Sequence, residues 1–344
     1  MTANMRNSFW KIIYTLIEYL IPRERIKTVE VNYLPNSVVT KSITLTAPLY
    51  FKTKQFDDSY LPMIKTFEGK QLLVLNDAIL DIQTGHVFII DSTGKLTFLE
   101  ASSEWPKERI KRELTLPNPL RIPTVSHGSI GHPNVNYFHL STHWLANSIK
   151  LAKEFNPILV SPFSHPLSLE IADYYCLPTV AIEERWVRVR NLSMLSLSPI
   201  GYLNPQDLKL IRQERKVNKS RATLIYVSRR KSSRSVPGEI LIEEELKKRG
   251  FTILLSENFG YADQNKIFSN AKMIVGPHGA GLVNAIYSNR GIPIIEIMPT
   301  WRFNRCIEWQ SALCGQNYHR VFYSRNENEL SIVQKTLAIV DAYA

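Results

Sequence analysis

The sequence predicts an α/β protein in which an N-terminal β-rich segment precedes two regions of alternating strands and helices. From about residue 134 onward, short β-rich apolar runs alternate with helical runs, a pattern typical of βαβ units and parallel sheets. The chain has 344 residues, which favours two domains over one. Its hydrophobic fraction of 44% and charged fraction of 21% are those of a globular protein and exclude a disordered or fibrous chain.

The first segment, residues 1–27, contains an amphipathic aromatic run, FWKIIYTLIEYLI, at residues 9–21. A helix of this length cannot span a bilayer, and no run of 18 apolar residues occurs elsewhere. Two interpretations remain open. The helix packs on the protein's own core, or it lies at an anionic membrane surface with Arg6, Arg23 and Arg25 at headgroup level.

The N-terminal pattern and the cysteines indicate a cytoplasmic protein, including the inner face of the cytoplasmic membrane as a location. Residues 22–24 (Pro-Arg-Glu) stand where a signal peptide would have its small-residue cleavage site. Cys176, Cys306 and Cys314 include no CxxC pair, so we expect neither a disulfide framework nor a zinc site.

Residues 28–204 form the first predicted domain. Its opening part, residues 28–100, has three β-rich runs separated by turns at Thr84-Gly85 and Thr93-Gly94, which predict a hairpin meander. A βαβ pattern follows. The predicted elements are a helix at 143–155, a strand at 158–162, a helix at 167–176, strands at 179–183 and 185–195, and a linker at 198–207.

Residues 205–330 form the second predicted domain, with a C-terminal helix at 331–344. The pattern is βαβαβαβ, with strands at 222–228, 251–257, 272–276 and 292–298, and helices at 205–215, 239–249, 262–271 and 279–289. In the helix at 239–249, Glu243–Lys247, Glu244–Lys248 and Glu245–Arg249 are expected ion pairs. No GxGxxG follows the first strand, which argues against a dinucleotide cofactor.

The positive charge is concentrated in one window. Between Lys209 and Arg234 the chain has ten Lys or Arg and one acid, Glu214, so this window carries +9 of the net +11. It is either a solvated helix face or a surface that binds phosphate. Nucleic acid is not the expected partner, because the only aromatic residue in the window is Tyr226, inside an apolar strand.

The segment Gly276-Pro277-His278-Gly279-Ala280-Gly281 lies between a buried strand and a helix start. Glycines allow close approach of backbone to a ligand, and a helix N-terminus favours a phosphate. His278 could donate a hydrogen bond to a phosphate oxygen; the alternative is a tight turn with a packing histidine. At the end of the 222–228 strand, Arg229, Arg230 and Arg234 are expected to meet the same phosphate.

Two other polar features are candidates for function. Glu296 lies in an apolar strand and needs partners, either ribose hydroxyls or a salt bridge to Arg302 or Arg305. Four of the eight histidines fall within 17 residues: His127, His132, His139 and His143. His139 and His143 share one helix face, but no nearby acid completes a metal site. A general base is the better functional interpretation, and packing roles are the alternative.

These residues together resemble glycosyltransferase family 61, the capsular polysaccharide biosynthesis-like proteins. The resemblance covers about residues 130–300. The matching residues are Asn136 to His139, Tyr226 to Arg230, Arg234, Glu239, Phe251, Gln264, Phe268, Ala271, Ile274 to Leu282, Asn284 and Glu296. The family often has an acid where this chain has His143, and Asn-Glu where it has Gly238-Glu239.

The resemblance implies a GT-B-like architecture, with two Rossmann-like domains facing a cleft, an acceptor side at 28–204 and a nucleotide-sugar side at 205–330. It implies inversion at the anomeric carbon, in a transferase for capsule or lipopolysaccharide synthesis. The sequence contains no DxD pair to hold Mg²⁺ at a diphosphate, so we expect a metal-independent reaction. No cofactor is expected; a UDP-sugar is the favoured donor, and a glycan or lipid-linked glycan is the acceptor. The alternative is a non-catalytic nucleotide-sugar-binding subunit.

The residue roles follow from the same resemblance. The expected catalytic residues are His139, favoured as the base, and His143, which either orients His139 or is a second candidate for the base. The expected donor-binding residues are Arg229, Arg230, Arg234, Glu239, Gly276, His278, Gly279, Ala280, Gly281, Asn284 and Glu296.

Overall fold

A computed structural model describes most of the chain from residue 122 onward and separate strands before it. The described residues are 43–47, 63–67, 72–82, 85–90, 96–98, 122–131, 136–154, 157–161, 165–195, 203–213 and 222–343. The predicted helical segment at 9–21 and His132 lie outside them. No helix within these ranges is both long enough and apolar enough to cross a membrane.

The first sheet joins the predicted meander to the βαβ region. Its strands are β3 (Leu72–Asp81), β4 (His86–Ile90), β5 (Leu96–Phe98), β6 (Thr124–Ile130), β7 (Ile158–Val160), β8 (Thr179–Ala181) and β9 (Trp186–Leu195), in the order β5-β4-β3-β9-β6-β7-β8. Strands β3 to β5 pair antiparallel, which confirms that part of the meander. A separate antiparallel pair is formed by β1 (Ile43–Ala47) and β2 (Met63–Phe67).

The other strands of this sheet run parallel, as the alternating pattern predicted: β6 pairs with both β9 and β7, and β7 with β8. Two helices connect them. Helix α1 consists of a turn at Tyr137–His139, a π-helical turn at Leu140–Trp144 and an α-helical part at Leu145–Glu154, and α2 is Ser168–Tyr174.

Helix α1 begins six residues before its predicted start. The side chain of Asn136 accepts a hydrogen bond from the Phe138 N–H at 2.9 Å and caps the helix. The sequence before residue 143 is polar and rich in loop-forming residues, which concealed this start. The earlier start places Tyr137, His139 and His143 on one continuous helix.

The second sheet is entirely parallel. Its strands are β10 (Thr223–Val227), β11 (Phe251–Leu254), β12 (Ala271–Pro277), β13 (Pro293–Pro299) and β14 (Asn317–Tyr323), in the order β11-β10-β12-β13-β14. Its helices are α3 (Pro205–Gln213), α4 (Glu239–Lys248), α5 (Tyr261–Ser269), α6 (Cys306–Cys314) and α7 (Glu329–Asp341). The predicted βαβαβαβ run is therefore confirmed. Strand β14 and helix α6 are additions to it.

The element after the glycine loop is a 3₁₀ helix, Ala280–Tyr287, where a helix starting at Gly279 was expected. Two further 3₁₀ turns are Ser256–Asn258 and Thr300–Arg302. The sheet order reverses between β10 and β12, because the chain goes outward to β11 and then returns to the other side of β10. Ligands of such sheets bind beyond the carboxyl ends of the strands at this switch point.

Direct contacts join the two sheet regions. Glu170 of α2 accepts a hydrogen bond from the first N–H of α5, at Tyr261, at 2.8 Å. Lys150 of α1 forms a salt bridge of 2.8 Å with the buried Asp207 of α3. One core cluster also contains residues of both regions, from Phe138 and Ile158 to Ile225 and Leu282. The domain boundary at 204 stays a prediction.

Candidate functional site

The glycine loop after β12 packs directly on the segment that follows β10. A Cβ atom on Gly279 would lie 1.8 Å from Nη1 of Arg229, and one on Gly276 would lie 3.0 Å from the Val227 carbonyl oxygen. A side chain at Gly279 would therefore displace Arg229. The glycines allow the two loops at the switch point to come together.

Arg229 connects these loops. Its Nη1 donates to the carbonyl oxygen of His278 at 2.5 Å, and its backbone N–H donates to Oε1 of Glu239 at 2.6 Å. Burial lowers the pKa of the guanidinium, and the nearby cations Arg234 and Arg302 lower it further. A half-buried arginine next to other cations is stabilised by an anion. This part of the site is thus suited to bind negative charge.

Arg230 and Arg234 lie differently from Arg229. Arg230 is exposed and pairs with Oε2 of Glu243 at 3.0 Å. The other oxygen of Glu243 accepts from the Ser228 hydroxyl at 2.6 Å. The expected surface pair of Glu243 with Lys247 is therefore wrong, since Glu243 is buried and turned toward β10. Arg234 is exposed, and among the described residues its side chain has no ion-pair partner.

Glu239 is hydrogen-bonded to the segment that follows β10. It is 4% exposed, and its carboxylate accepts from the backbone N–H groups of Arg229 and Val236 and from the Tyr226 hydroxyl. Burial raises the pKa of this carboxyl group, while the two backbone hydrogen bonds lower it. The expectation that Glu239 contacts the donor does not fit this position. The residue instead holds the backbone of Arg229 in place.

Glu296 is fully buried on β13, and the structure corrects both expectations for its partners. Oε1 lies 2.7 Å from Nδ1 of His278, and Oε2 accepts from the Tyr318 hydroxyl. Neither oxygen is turned toward Arg302 or Arg305, and full burial is incompatible with contact to ribose. The imidazole of His278 itself keeps 15% of its surface exposed.

A chain of alternating polar groups continues behind Glu296. Nε of Arg320 donates to the Tyr318 oxygen at 2.9 Å, and its Nη2 donates to Glu308 at 2.7 Å. Arg305 binds the same carboxylate through two hydrogen bonds of 2.7 and 2.9 Å. We call these six residues the charged network: His278, Glu296, Tyr318, Arg320, Glu308 and Arg305. Sequence patterns could not identify it, because its members come from the glycine loop, β13, β14, and α6 with the residue that precedes it.

Asn284 is also buried and committed to protein contacts. Its Oδ1 accepts from the Tyr137 hydroxyl at 2.8 Å, and its Nδ2 donates to Gln264 at 2.8 Å. The Gln264 amide in turn donates to the carbonyl groups of Ser256 and Phe259. The expected role of Asn284 in donor contact does not fit. It joins α1 to the 3₁₀ helix and α5.

The two histidines of α1 face each other. Nδ1 of His139 lies 3.1 Å from Nδ1 of His143, so one ring donates and the other accepts. His143 is fully buried, whereas His139 is partly exposed. A hydrogen bond at Nδ1 fixes the orientation of an imidazole ring and the tautomer that it adopts. His127 is exposed on β6. The described residues contain no group of three or more His, Cys, Asp or Glu placed to hold a metal ion.

His165 is a candidate that sequence reasoning missed. Its ring lies 5.5 Å from that of Tyr137, between centroids, and its Nδ1 accepts from the Leu167 N–H at 3.1 Å. Partial burial lowers the pKa of its imidazole. No motif surrounds it in the sequence, so only the packing of α1 against the start of α2 brings it near the site.

Comparison with known proteins identifies related sequences. A family model described as Glycosyltransferase 61 matches residues 85–295, more than half of the chain. Protein O-linked-mannose beta-1,4-N-acetylglucosaminyltransferase 2 from Mus musculus is 38% identical over 63 residues, which are 18% of this chain and 11% of the mouse protein. The protein of the same name from Bos taurus is 35% identical over 60 residues, covering 17% and 10%. The matched stretch thus spans about a tenth of each relative.

Proposed function

Because the chain belongs to glycosyltransferase family 61, we propose that it moves a sugar from a nucleotide-sugar donor to a glycan acceptor. The observation that carries this proposal is the loop at residues 276–281, packed against Arg229 at the switch point of the parallel sheet. This loop lies where open α/β sheets bind ligands, so its position supports the proposal in addition to the family.

The donor diphosphate lies over this loop in our proposal. The first hydrogen bond of the 3₁₀ helix runs from the Leu282 N–H to the Gly279 carbonyl oxygen, and the His278 N–H donates to Ile297. The N–H groups of residues 279–281 are the ones that an anion would meet in our proposal. Arg229 and His278 supply positive charge and hydrogen bonds, and the exposed Arg230 and Arg234 add to the local potential. Stabilising the departing diphosphate lowers the barrier to transfer.

The acceptor hydroxyl attacks from the side of α1. His139 takes its proton, with His143 holding the ring through the Nδ1 contact of 3.1 Å. We further propose that the two sheet regions form a GT-B-like pair facing a cleft and that transfer inverts the anomeric carbon. The hydrogen bond of Tyr137 to Asn284 supports a fixed placement of α1 relative to the donor loop.

The arginines make catalysis without a divalent metal the expected mode, since cationic side chains can neutralise a leaving diphosphate. The measurement is turnover in EDTA compared with turnover in added Mg²⁺ or Mn²⁺. Activity that persists in EDTA supports this mode. Loss in EDTA with recovery in metal would contradict it.

The donor is proposed to be a UDP-sugar and the product a surface polysaccharide, capsule or lipopolysaccharide. The names of the mouse and bovine relatives specify N-acetylglucosaminyl transfer to O-linked mannose, so an N-acetylglucosamine donor belongs in the first assay. The experiment is a screen of nucleotide-sugars by thermal shift, followed by a donor-hydrolysis assay. Stabilisation by a nucleotide-sugar together with turnover supports a transferase. Binding without hydrolysis or transfer would favour a non-catalytic nucleotide-sugar-binding subunit.

A further inference from the structure

In the charged network behind His278, the chemistry of the side chains determines which group donates each hydrogen bond and which accepts it. A guanidinium donates hydrogen bonds and cannot accept them. Nε of Arg320 lies 2.9 Å from the Tyr318 oxygen, so this oxygen is an acceptor on that side. The Tyr318 hydroxyl therefore directs its hydrogen to Oε2 of Glu296, and Glu296 is the acceptor in that contact.

Tyr318 keeps its proton in this position. The side chain is buried, and burial together with the neighbouring Glu296 carboxylate holds the pKa of its hydroxyl well above the usual range. A carboxylate carries no hydrogen and can only accept, so the Glu296 carboxylate accepts at both oxygens. Its Oε1 therefore accepts from Nδ1 of His278 at 2.7 Å, and that nitrogen bears the hydrogen.

The formal charges of the network already balance. The carboxylates of Glu296 and Glu308 oppose the guanidinium groups of Arg320 and Arg305, two against two. Cys306 contributes no charge, because burial and the nearby Glu296 raise the pKa of its thiol to about 12. With His278 neutral the whole network has no net charge. The other facing cation is Arg229, bound to the His278 carbonyl, with Arg234 and Arg302 near it.

Nε2 of His278 is the remaining ring nitrogen. It has no hydrogen-bond partner among the described residues, and the imidazole side chain is 15% exposed. An unprotonated Nε2 cannot donate to a phosphate oxygen, so the ring needs a second proton to do so. A bound diphosphate would supply the negative charge that favours this proton and offsets the three arginines.

We propose that Tyr318, Arg320 and Glu308 are positioning residues: they hold Glu296 so that His278 carries its proton on Nδ1, and His278 takes up a second proton on Nε2 when a diphosphate binds. This inference rests on the proposed donor site. The step is the transfer of one proton from solvent to Nε2 of His278, and no covalent bond of the ligand changes. The imidazolium then lies between the Glu296 carboxylate and the phosphate.

The first experiment determines the tautomer of His278 in the free protein. Nitrogen-15 NMR of histidine-labelled full-length protein distinguishes the two ring nitrogens, and the His278→Gln variant assigns the signals. We expect the Nδ1–H form for His278. The Nε2–H form would overturn the proposal independently of any ligand.

The second experiment measures proton uptake with UDP as the probe. Calorimetric titrations between pH 7.0 and 8.5 use two buffers of different ionisation enthalpy, a range in which free UDP has lost its last proton. We expect uptake of up to one proton and an affinity that falls by up to about tenfold per pH unit. The His278→Gln variant should lose this uptake.

The positioning role is tested with a pair of matched variants. Tyr318→Phe and Tyr261→Phe each remove one buried hydroxyl group that has a hydrogen bond, but Tyr261 lies outside the charged network. Tyr318→Phe should weaken UDP binding by about two- to tenfold and shift the His278 tautomer signals, whereas Tyr261→Phe should do neither. Equal behaviour of the two variants contradicts the proposal.

Two binding results distinguish a wrong inference about His278 from a wrong donor site. Wild-type protein that binds none of UDP, GDP, CDP and ADP contradicts the proposed donor site. Wild-type protein that binds UDP without proton uptake contradicts the inference about His278 and leaves the donor site intact.

Discussion

Two largely buried polar clusters differ in charge: one includes His278 of the glycine loop, and the other includes Asn284 of the 3₁₀ helix that follows it. The charged network behind His278 contains two carboxylates and two guanidinium groups. The other cluster is neutral: Tyr137, Asn284 and Gln264 bond to one another, and Tyr261 bonds to Tyr287. The charged network is confined to β13, β14, α6 and the loop, while the neutral cluster joins the two sheet regions.

This difference in charge suggests that the two clusters have different roles. Neutral hydrogen bonds fix the relative placement of elements, and their energy depends little on the charge of a ligand. The electrostatic energy of a balanced set of buried charges, in contrast, changes when another charge comes near it. We therefore assign donor recognition to the charged network and the alignment of α1 with the donor loop to the neutral cluster.

The largest effect is expected from breaking the charged network. Arg320→Met removes an ion-pair partner of the buried Glu308 and a hydrogen-bond donor to the Tyr318 oxygen. Removing one member of a buried ion pair typically costs about 3–5 kcal/mol of unfolding free energy. Urea denaturation of the Arg320→Met variant measures this loss of unfolding free energy, and Tyr261→Phe is the comparison variant from the neutral cluster. The Tyr261→Phe variant should lose only about 1 kcal/mol. Equal losses would remove the distinction between the clusters.

The next effect concerns catalysis on the α1 side. His139→Ala should reduce kcat by about 10²–10⁴-fold, the usual contribution of a general base, while donor affinity stays near that of wild type. His143→Ala is the matched variant one turn along the helix. If His143→Ala loses kcat and His139→Ala keeps it, the two roles are exchanged. If both variants keep their kcat, the base is neither residue, and His165 becomes the next variant to measure.

A smaller effect tests whether Asn284 aligns the regions or binds the donor. Asn284→Ala leaves the Tyr137 hydroxyl and the Gln264 amide short of a partner, which should cost about 1–3 kcal/mol of unfolding free energy. Its affinity for a nucleoside diphosphate should be unchanged. A large loss of affinity in the folded variant would return Asn284 to the donor site.

The smallest effect lies in the N-terminal segment. Full-length protein should co-sediment with anionic vesicles at low salt, with about 1 kcal/mol contributed by each basic residue near the surface. Deleting residues 1–27 should abolish the association. Failure of the full-length protein to sediment would favour packing of residues 9–21 on the protein's own core.

The sequence predicted the regular parts of this molecule well and its buried polar contacts poorly. The apolar strands of the parallel sheet and the helix before Gly250, which has a φ of +82°, follow from hydrophobic period and turn chemistry. Strand β14 was missed because His319 and Arg320 interrupt its apolar pattern. The start of α1 was missed because its first turn is polar.

The candidate site shows the same limit. The glycine loop and Arg229 could be found from local sequence, because a strand, a loop and a basic run are contiguous features. The partners of Glu296 could not, since His278 lies 18 residues before it and Tyr318 lies 22 residues after it in the chain. A buried carboxylate predicts that a partner exists, but only the register of β13 with β14 identifies it.

Donor binding at the glycine loop is tested most directly by a calorimetric titration of UDP into wild-type and His278→Ala protein. We expect wild-type protein to bind UDP and the folded His278→Ala variant to lose roughly 1–3 kcal/mol of binding free energy, the cost of a lost charge-assisted hydrogen bond. Equal affinity of the two folded proteins would contradict the assignment of the loop as the donor site.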